Sequence, residues 1–213
     1  MFITFEGLDF SGKSTQVQLI VEKLGRENYN VLVLRDPGGT PIGERIRSIL
    51  LDKELSDMAD FAELFLFSAS RSQLVKEVIR PALEGGMVVI CDRFYDSTTA
   101  YQGWGRGLPI EDIKTINRAA ADGLVPDVTL FIDIPVPEIE RRMNQQKSKA
   151  DRMESSGIAF YERVRQGYMQ LANEETRFLV VNGLQPVDDI HEAIWLRVQQ
   201  HLAVVQNLNQ TKS

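Results

Sequence analysis

Gly7-Leu8-Asp9-Phe10-Ser11-Gly12-Lys13-Ser14 reads G-x-x-x-x-G-K-S, a glycine-rich turn that cradles phosphate when a strand precedes it and a helix follows. Both neighbours are present. Phe2-Ile3-Thr4-Phe5 is a short strand-like run. From Thr15 to Gly25, apolar residues fall at Val17, Leu19, Ile20, Val21 and Leu24, a helical spacing that ends at glycine. Glycine reaches backbone angles that other residues avoid, so successive N–H groups of the loop can turn inward toward phosphate oxygens. Lys13 would add a point positive charge, the Ser14 hydroxyl suits Mg²⁺, and the following helix aims its positive dipole end at the same place. Gly7 through Thr15 are therefore expected to bind a nucleotide; a chance turn is the alternative.

Outward from the loop, Val31-Leu32-Val33-Leu34 is a continuous apolar run, as expected for a strand buried on both faces of a parallel sheet. It ends in the turn cluster Arg35-Asp36-Pro37-Gly38-Gly39-Thr40, after which Ile42, Ile46, Ile49 and Leu50 recur at helical spacing. Ala59 to Leu83 reads as one long helix, stopped near Pro81 and Gly85-Gly86. Met87 to Cys91, Val128 to Asp133 and Phe178 to Val181 complete five strands. Further helices are expected over Ile110 to Ala121, from Glu138 to Met143, over Ile158 to Ala172 and over Val187 to Val205. The polar, basic run from Asn144 to Ala150 reads as a flap, giving a lid at about 144–156. The alternation predicts a single α/β domain: a five-stranded parallel sheet with helices on both faces. Ligands of such sheets bind at the carboxyl ends of the strands. The clusters at 7–14, 35–40, 92–101 and 182–183 should therefore converge on one edge.

Composition excludes several classes. With 24 basic and 30 acidic residues and a net charge of −6, binding of nucleic acid by bulk charge is not expected. Any phosphate must be met by local clusters of Arg and Lys. Cys91 is the only cysteine, which rules out an internal disulfide and reads as packing within a strand. His191 and His201 lie ten apart and are expected to be solvated, with no metal-ligand spacing. There is no secretory signal and no long uncharged apolar run, so a cytoplasmic chain without a membrane partner is expected.

Asp92 ends an apolar strand, where a second carboxylate can help hold Mg²⁺; a helix-capping role is the alternative. Arg35, Arg47, Arg71, Arg93, Arg142 and Arg152 recur near predicted loop edges. Planar guanidinium groups bind phosphate bidentately, so this recurrence suggests a second phosphate besides those of a triphosphate. Solvated surface charge is the common alternative, which Arg93, locked to a strand end, escapes best. Phe67 and Arg71 are four apart and share a helix face, so a ring beside a fork of donors could read a flat heterocycle. Core packing with Phe61, Leu64, Phe65 and Leu66 is the competing reading of Phe67. Lys147, Lys149, Asp151 and Arg152 in the flap could bring positive charge over a transferring group.

Taken together, Phe5-Glu6-Gly7-Leu8-Asp9 leading into Gly12-Lys13-Ser14-Thr15, the segment Arg35 to Thr40, Phe67 with Arg71, Asp92-Arg93-Phe94 followed by Ser97, Thr98 and Ala100-Tyr101-Gln102-Gly103, and Asp151-Arg152 resemble the thymidylate kinases of bacteria. The resemblance implies transfer of the γ-phosphoryl of ATP to dTMP with Mg²⁺, a homodimer, and a place in dTTP synthesis. By similarity, Asp9 would contact the acceptor sugar hydroxyl or a Mg²⁺-bound water. Asp36 would support the acceptor end, and Arg47 and Arg93 would hold the dTMP phosphate. Phe67 would stack on thymine and Arg71 would bond its carbonyl. Ser97 and Thr98 would face the base, and Tyr101, with Gln102 beside it, would crowd the sugar 2′ position. Arg152 would lie near the ATP adenine or phosphates. Lys13, Arg93, Asp9, Lys147 and Arg152 are the expected catalytic set, with Ser14 and Asp92 at the metal.

The chain departs from the pattern at Phe10, where some relatives carry a catalytic arginine, so the flap is expected to supply that charge through Lys147, Lys149 or Arg142. Asp36 stands where Glu is usual, and Phe94 where Tyr or His is frequent. Two competing functions are a kinase for another nucleoside monophosphate and a nucleotide-switch ATPase. Against the second, the chain lacks an N-K-x-D guanine-reading motif.

Overall fold

The computed structural model describes residues 1–146, 152 and 157–210, except for the side chains of 146 and 204–210. The expected Lys147, Lys149 and Asp151, and most of the expected lid, lie outside the described residues. Five strands, β1 (Phe2–Glu6), β2 (Val31–Arg35), β3 (Val88–Asp92), β4 (Val128–Asp133) and β5 (Phe178–Asn182), form one parallel sheet in the order β2-β3-β1-β4-β5. Each lies within a residue of its expected place at either end.

The alternation of β1 explains the layers. Ile3 and Phe5 face one side, where they join Ile20 and Leu24 of α1 (Lys13–Arg26) and Ile194 and Val198 of α9 (Val187–Gln210). Phe2 faces the other, with Val89 and Cys91, against Leu74, Val75 and Ile79. Successive side chains of a strand point to opposite faces, so a short apolar run serves two cores. The remaining helices are α2 (Pro41–Leu51), α3 (Asp60–Leu74), α4 (Arg80–Glu84), the one-turn α5 (Tyr95–Thr98), α6 (Ile110–Ala120), α7 (Val136–Gln146) and α8 (Ile158–Glu174).

Four expectations are corrected. Val33 is 45% exposed and Val180 43%, because β2 and β5 are the sheet edges and have only one neighbour each. The long helix from Ala59 is α3, a π-helical turn over Val75–Ile79, and then α4. Phe61 and Phe65 are exposed rather than packed in the core. His191 and His201 are half-buried; His201 Nδ1 lies 3.0 Å from the Arg197 carbonyl, and burial pulls the pKa of His191 down.

The register brings the polar clusters together. Phe5 pairs with Asp92 and Glu6 with Phe131. Arg93 N donates to Phe5 O at 2.9 Å, and Asp36 N donates to Asp92 O at 3.1 Å. The segments after β1, β2 and β3 are thus tied side by side at the carboxyl edge.

Candidate active site

These segments line a cavity of about 660 Å³. Gly7, at φ 136°, is required where it stands: a Cβ there would lie 2.6 Å from Ile132 O. Gly12, at φ 98°, caps α1 in the left-handed region. Lys13 curls back, donating to Gly7 O at 3.1 Å and Leu8 O at 2.7 Å. Burial and then the charge of Arg93 push its pKa down to about 8, against the pull of Asp9, Asp92 and Glu6. The loop from Asp9 to Thr15 lines the cavity; Gly7 and Leu8 sit behind it, supplying those carbonyls.

Arg93 has φ 70°, a left-handed angle that strains a non-glycine residue. It swings the side chain over the loop. Nη2 donates to Asp9 Oδ1 at 2.8 Å and to Tyr101 Oη at 3.2 Å, Nη1 donates to Tyr168 Oη at 3.2 Å, and the guanidinium lies 5.0 Å from the Tyr101 ring centre. Tyr168 in turn donates to Glu6 Oε2 at 2.8 Å. Burial opposes ionisation of Asp9, but Arg93 and Lys13 outweigh it and hold its pKa below the usual carboxylate range. Glu6 goes the other way, pushed up to about 8 by burial and then by Asp96. Asp92 does not cap α5, whose cap residue is Phe94. Its Oδ1 is buried without a partner, and the residue lines the cavity beside Ser14.

Opposite the loop, Asp36, Arg47, Phe67, Ser97, Tyr101 and Gln102 line the same cavity. Phe67 is therefore a wall residue rather than core. Tyr101 and Gln102 are presented by a π-helical stretch, Thr99–Gly105, a geometry frequent at functional sites. Arg47 Nη1 donates to Pro37 O at 3.0 Å. On the other flank, Arg142 of α7 donates to Phe10 O at 3.0 Å, so a cation does stand beside the loop position that lacks one.

Besides Gly7 and Leu8, three expected residues are not brought to the cavity surface. Arg71 is wholly buried behind it, donating to Asp36 Oδ2 at 2.6 Å, Asn117 Oδ1 at 3.1 Å and Thr98 Oγ1 at 2.8 Å. Thr98 faces Arg71 rather than open space. The physical cause is Asp36, a buried carboxylate that needs a cation within reach. Arg152 is seated against α3 and α2: its guanidinium lies 2.6 Å from Glu63 Oε2 and donates to Leu50 O at 2.8 Å.

The reading of the sequence missed Glu6, Glu63 and Tyr168. Glu6 had a signal, since a carboxylate ending a wholly buried strand must find donors. Tyr168 had none, because it falls on the apolar face of α8 with Phe160, Val164 and Leu171.

A parallel sheet with a phosphate loop after β1, a carboxylate and arginine after β3, and a second polar wall facing them defines a P-loop phosphotransferase of the nucleoside monophosphate kinase fold. The model of the thymidylate kinase family matches residues 5–194. The thymidylate kinase of Caldanaerobacter subterraneus subsp. tengcongensis is 46% identical over 203 residues, covering 94% of this chain and 96% of its own. That of Kosmotoga olearia is 48% identical over 195 residues, covering 91% and 93%. The crystal structure of thymidylate kinase from Ehrlichia chaffeensis superposes with a TM-score of 0.75 at 35% identity, covering 93% of this chain and 98% of that one. The chain belongs to the thymidylate kinase family; it is an enzyme that uses ATP to convert dTMP to dTDP.

Proposed function

We propose that both substrates meet in the one cavity, ATP on the loop from Gly7 to Thr15 and dTMP between Phe67, Tyr101 and the arginines. The observation that carries this reading is Arg93, held by Asp9 over the loop at 2.8 Å while also lining the acceptor wall. Arg47 and Arg93 fix the acceptor phosphate in line, which removes an entropic cost from the transfer. Lys13 and the loop amides spread over the developing charge on the donor. The acceptor phosphate is already anionic near neutral pH, so no dedicated general base is needed. Phe67 covers one face of the thymine ring, and Ser97 and Gln102 meet its edge. Arg71 acts mainly by neutralising Asp36. Arg142 supplies a cation at the loop flank through its bond to Phe10 O, and residues 144–156 form the lid.

Mg²⁺ fits the donors. Among the described residues no group of three His, Cys, Asp or Glu gathers, but Asp92 Oδ1 is buried without a partner and Ser14 lies in the first turn of α1. Mg²⁺ is commonly bound by one or two carboxylates plus phosphate and water, so Ser14 and Asp92 would hold it. When bound it would offset phosphate charge.

The enzyme is a cytoplasmic homodimer serving dTTP synthesis. Support for the dimer is the exposed face of α3, where Phe61 is 42% and Phe65 54% exposed with ring centres 6.1 Å apart. Among the described residues no helix is long and apolar enough to cross a membrane. The deciding experiment is a coupled ADP-release assay over dTMP, dUMP, UMP, CMP, AMP and GMP. A rate for dTMP far above the rest is expected, and equal or better use of another acceptor contradicts the reading. Sedimentation of wild type and Phe65→Asp tests the dimer.

A further inference from the structure

Glu63 is a carboxylate of α3 with 1% exposure, and among the described residues the side chains that reach it are donors. Arg106 approaches with Nε at 3.2 Å from Oε1 and Nη2 at 3.1 Å from Oε2. Arg152 Nη2 lies 2.6 Å from Oε2. Gln102 Nε2 completes the set at 2.8 Å from Oε1. Burial disfavours the charged form of Glu63, but the bonds from Arg106 and Gln102 and the charges of Arg106 and Arg152 outweigh it, so the carboxyl sits below the usual range. An ionised carboxylate can only accept. Gln102 therefore has one possible orientation: its NH₂ toward Glu63, and its carbonyl oxygen as the amide atom left for the cavity that the residue lines. The opposite flip would set two oxygens against each other.

We propose that Glu63 is a positioning residue for base selection, fixing the Gln102 amide so that the cavity presents an acceptor and not a donor. A thymine or uracil ring offers an imide N–H to such an oxygen. A cytosine ring offers a lone pair at the same ring position and is repelled. Glu63 touches no substrate; it acts through Gln102, and the two arginines keep it ionised. Arg152 is one of those two, so base reading and the seating of Arg152 share one carboxylate. The inference rests on the reading that Gln102 meets the base edge.

The test compares kcat/KM for dTMP and dCMP in wild type, Glu63→Gln and Gln102→Met, with thermal unfolding to verify the fold. Glu63→Gln keeps the shape but can both donate and accept, which frees the Gln102 amide to turn. The expected result is a dTMP-to-dCMP preference reduced about tenfold or more in Glu63→Gln, consistent with the discrimination carried by a polar site that matches its substrate, with the loss mainly in KM for dTMP. A ratio lost in Gln102→Met but kept in Glu63→Gln overturns the positioning role and leaves the Gln102 reading standing. A ratio kept in Gln102→Met overturns that reading and the inference with it. Should Glu63→Gln not fold, the wild-type side-chain amide of Gln102 decides by NMR. Protons slow to exchange and little shifted by dTMP are expected; protons that shift as direct donors to the base overturn the proposal.

Discussion

Arg93 Nη2 lies 2.8 Å from Asp9 Oδ1, so the cation after β3 and the carboxylate of the phosphate loop form one unit that spans the two halves of the cavity. Replacing Arg93 with Met removes the acceptor-side charge and leaves Asp9 without its main partner. We expect kcat/KM for dTMP to fall by about 100-fold or more, in line with loss of a charged contact that positions the acceptor phosphate. Steady-state kinetics check this, and a loss of only two- or threefold contradicts the assignment.

Lys13→Ala should lower turnover by about two orders of magnitude or more with the fold intact. Among the described residues Lys13 bonds only to loop carbonyls, and burial pushes its pKa down to about 8, so its charge does not support the fold. The coupled assay and calorimetry together check this; near-wild-type turnover would sink the loop assignment.

Tyr101 lies under the Arg93 guanidinium and packs on Phe160 and Tyr168. Tyr101→Ala should relax the preference for dTMP over its ribose counterpart by roughly tenfold, the scale of a few missing carbons in a pocket, while KM for ATP changes little. Kinetics with the two acceptors decide the matter, and an unchanged preference contradicts a role at the 2′ position.

Glu6 makes stability depend on pH. Its folded pKa of about 8 lies above the ordinary glutamate value of 4.5, so its contribution is complete below about pH 4.5 and is lost as pH rises through about 8. Lys13, lowered from 10.5 to about 8, changes stability only between those two values, and the shifts of His191 and Asp36 are common to wild type and Glu6→Gln, so the difference between the two proteins from pH 5 to 7 isolates Glu6. Urea unfolding of wild type should therefore lose more stability between pH 5 and 7 than that of Glu6→Gln. Parallel slopes would show that Glu6 does not titrate there.

Arg71→Met strands Asp36, whose Oδ1 already lacks a partner. Removing one member of a buried pair typically costs about 3–5 kcal/mol, and denaturant unfolding should show a loss of that order. A change below about 1 kcal/mol would mean that Asp36 is protonated in the native state.

The apolar runs located the three central strands because a strand covered on both faces must be apolar throughout, and the two edge strands although each leaves a valine exposed; the loop pattern located the strand–turn–helix junction because only glycine takes the angles at Gly7 and Gly12. The convergence of Asp36, Arg93 and Tyr101 on one edge followed from strand polarity alone. The depth of each arginine did not follow. Arg71, Arg93 and Arg152 look alike in sequence, and their separate fates depend on which carboxylate lies within reach: Asp36, Asp9 or Glu63. Those partners are 35, 84 and about 90 residues away, beyond any periodic signal. The π-helical stretch that presents Gln102 and the left-handed angle at Arg93 were equally silent, since both are imposed by packing against propensity.

The sheet order has a consequence for how such an enzyme can change. With β1 in the centre, the cavity wall proposed to take the acceptor is drawn from residues 36–102, on the β2 and β3 side. The flanking cation Arg142 comes from beyond β4, on the other side. Under the proposed assignment, acceptor preference can drift, or be grafted from a relative, within one contiguous stretch of chain, while the loop after β1 is left untouched.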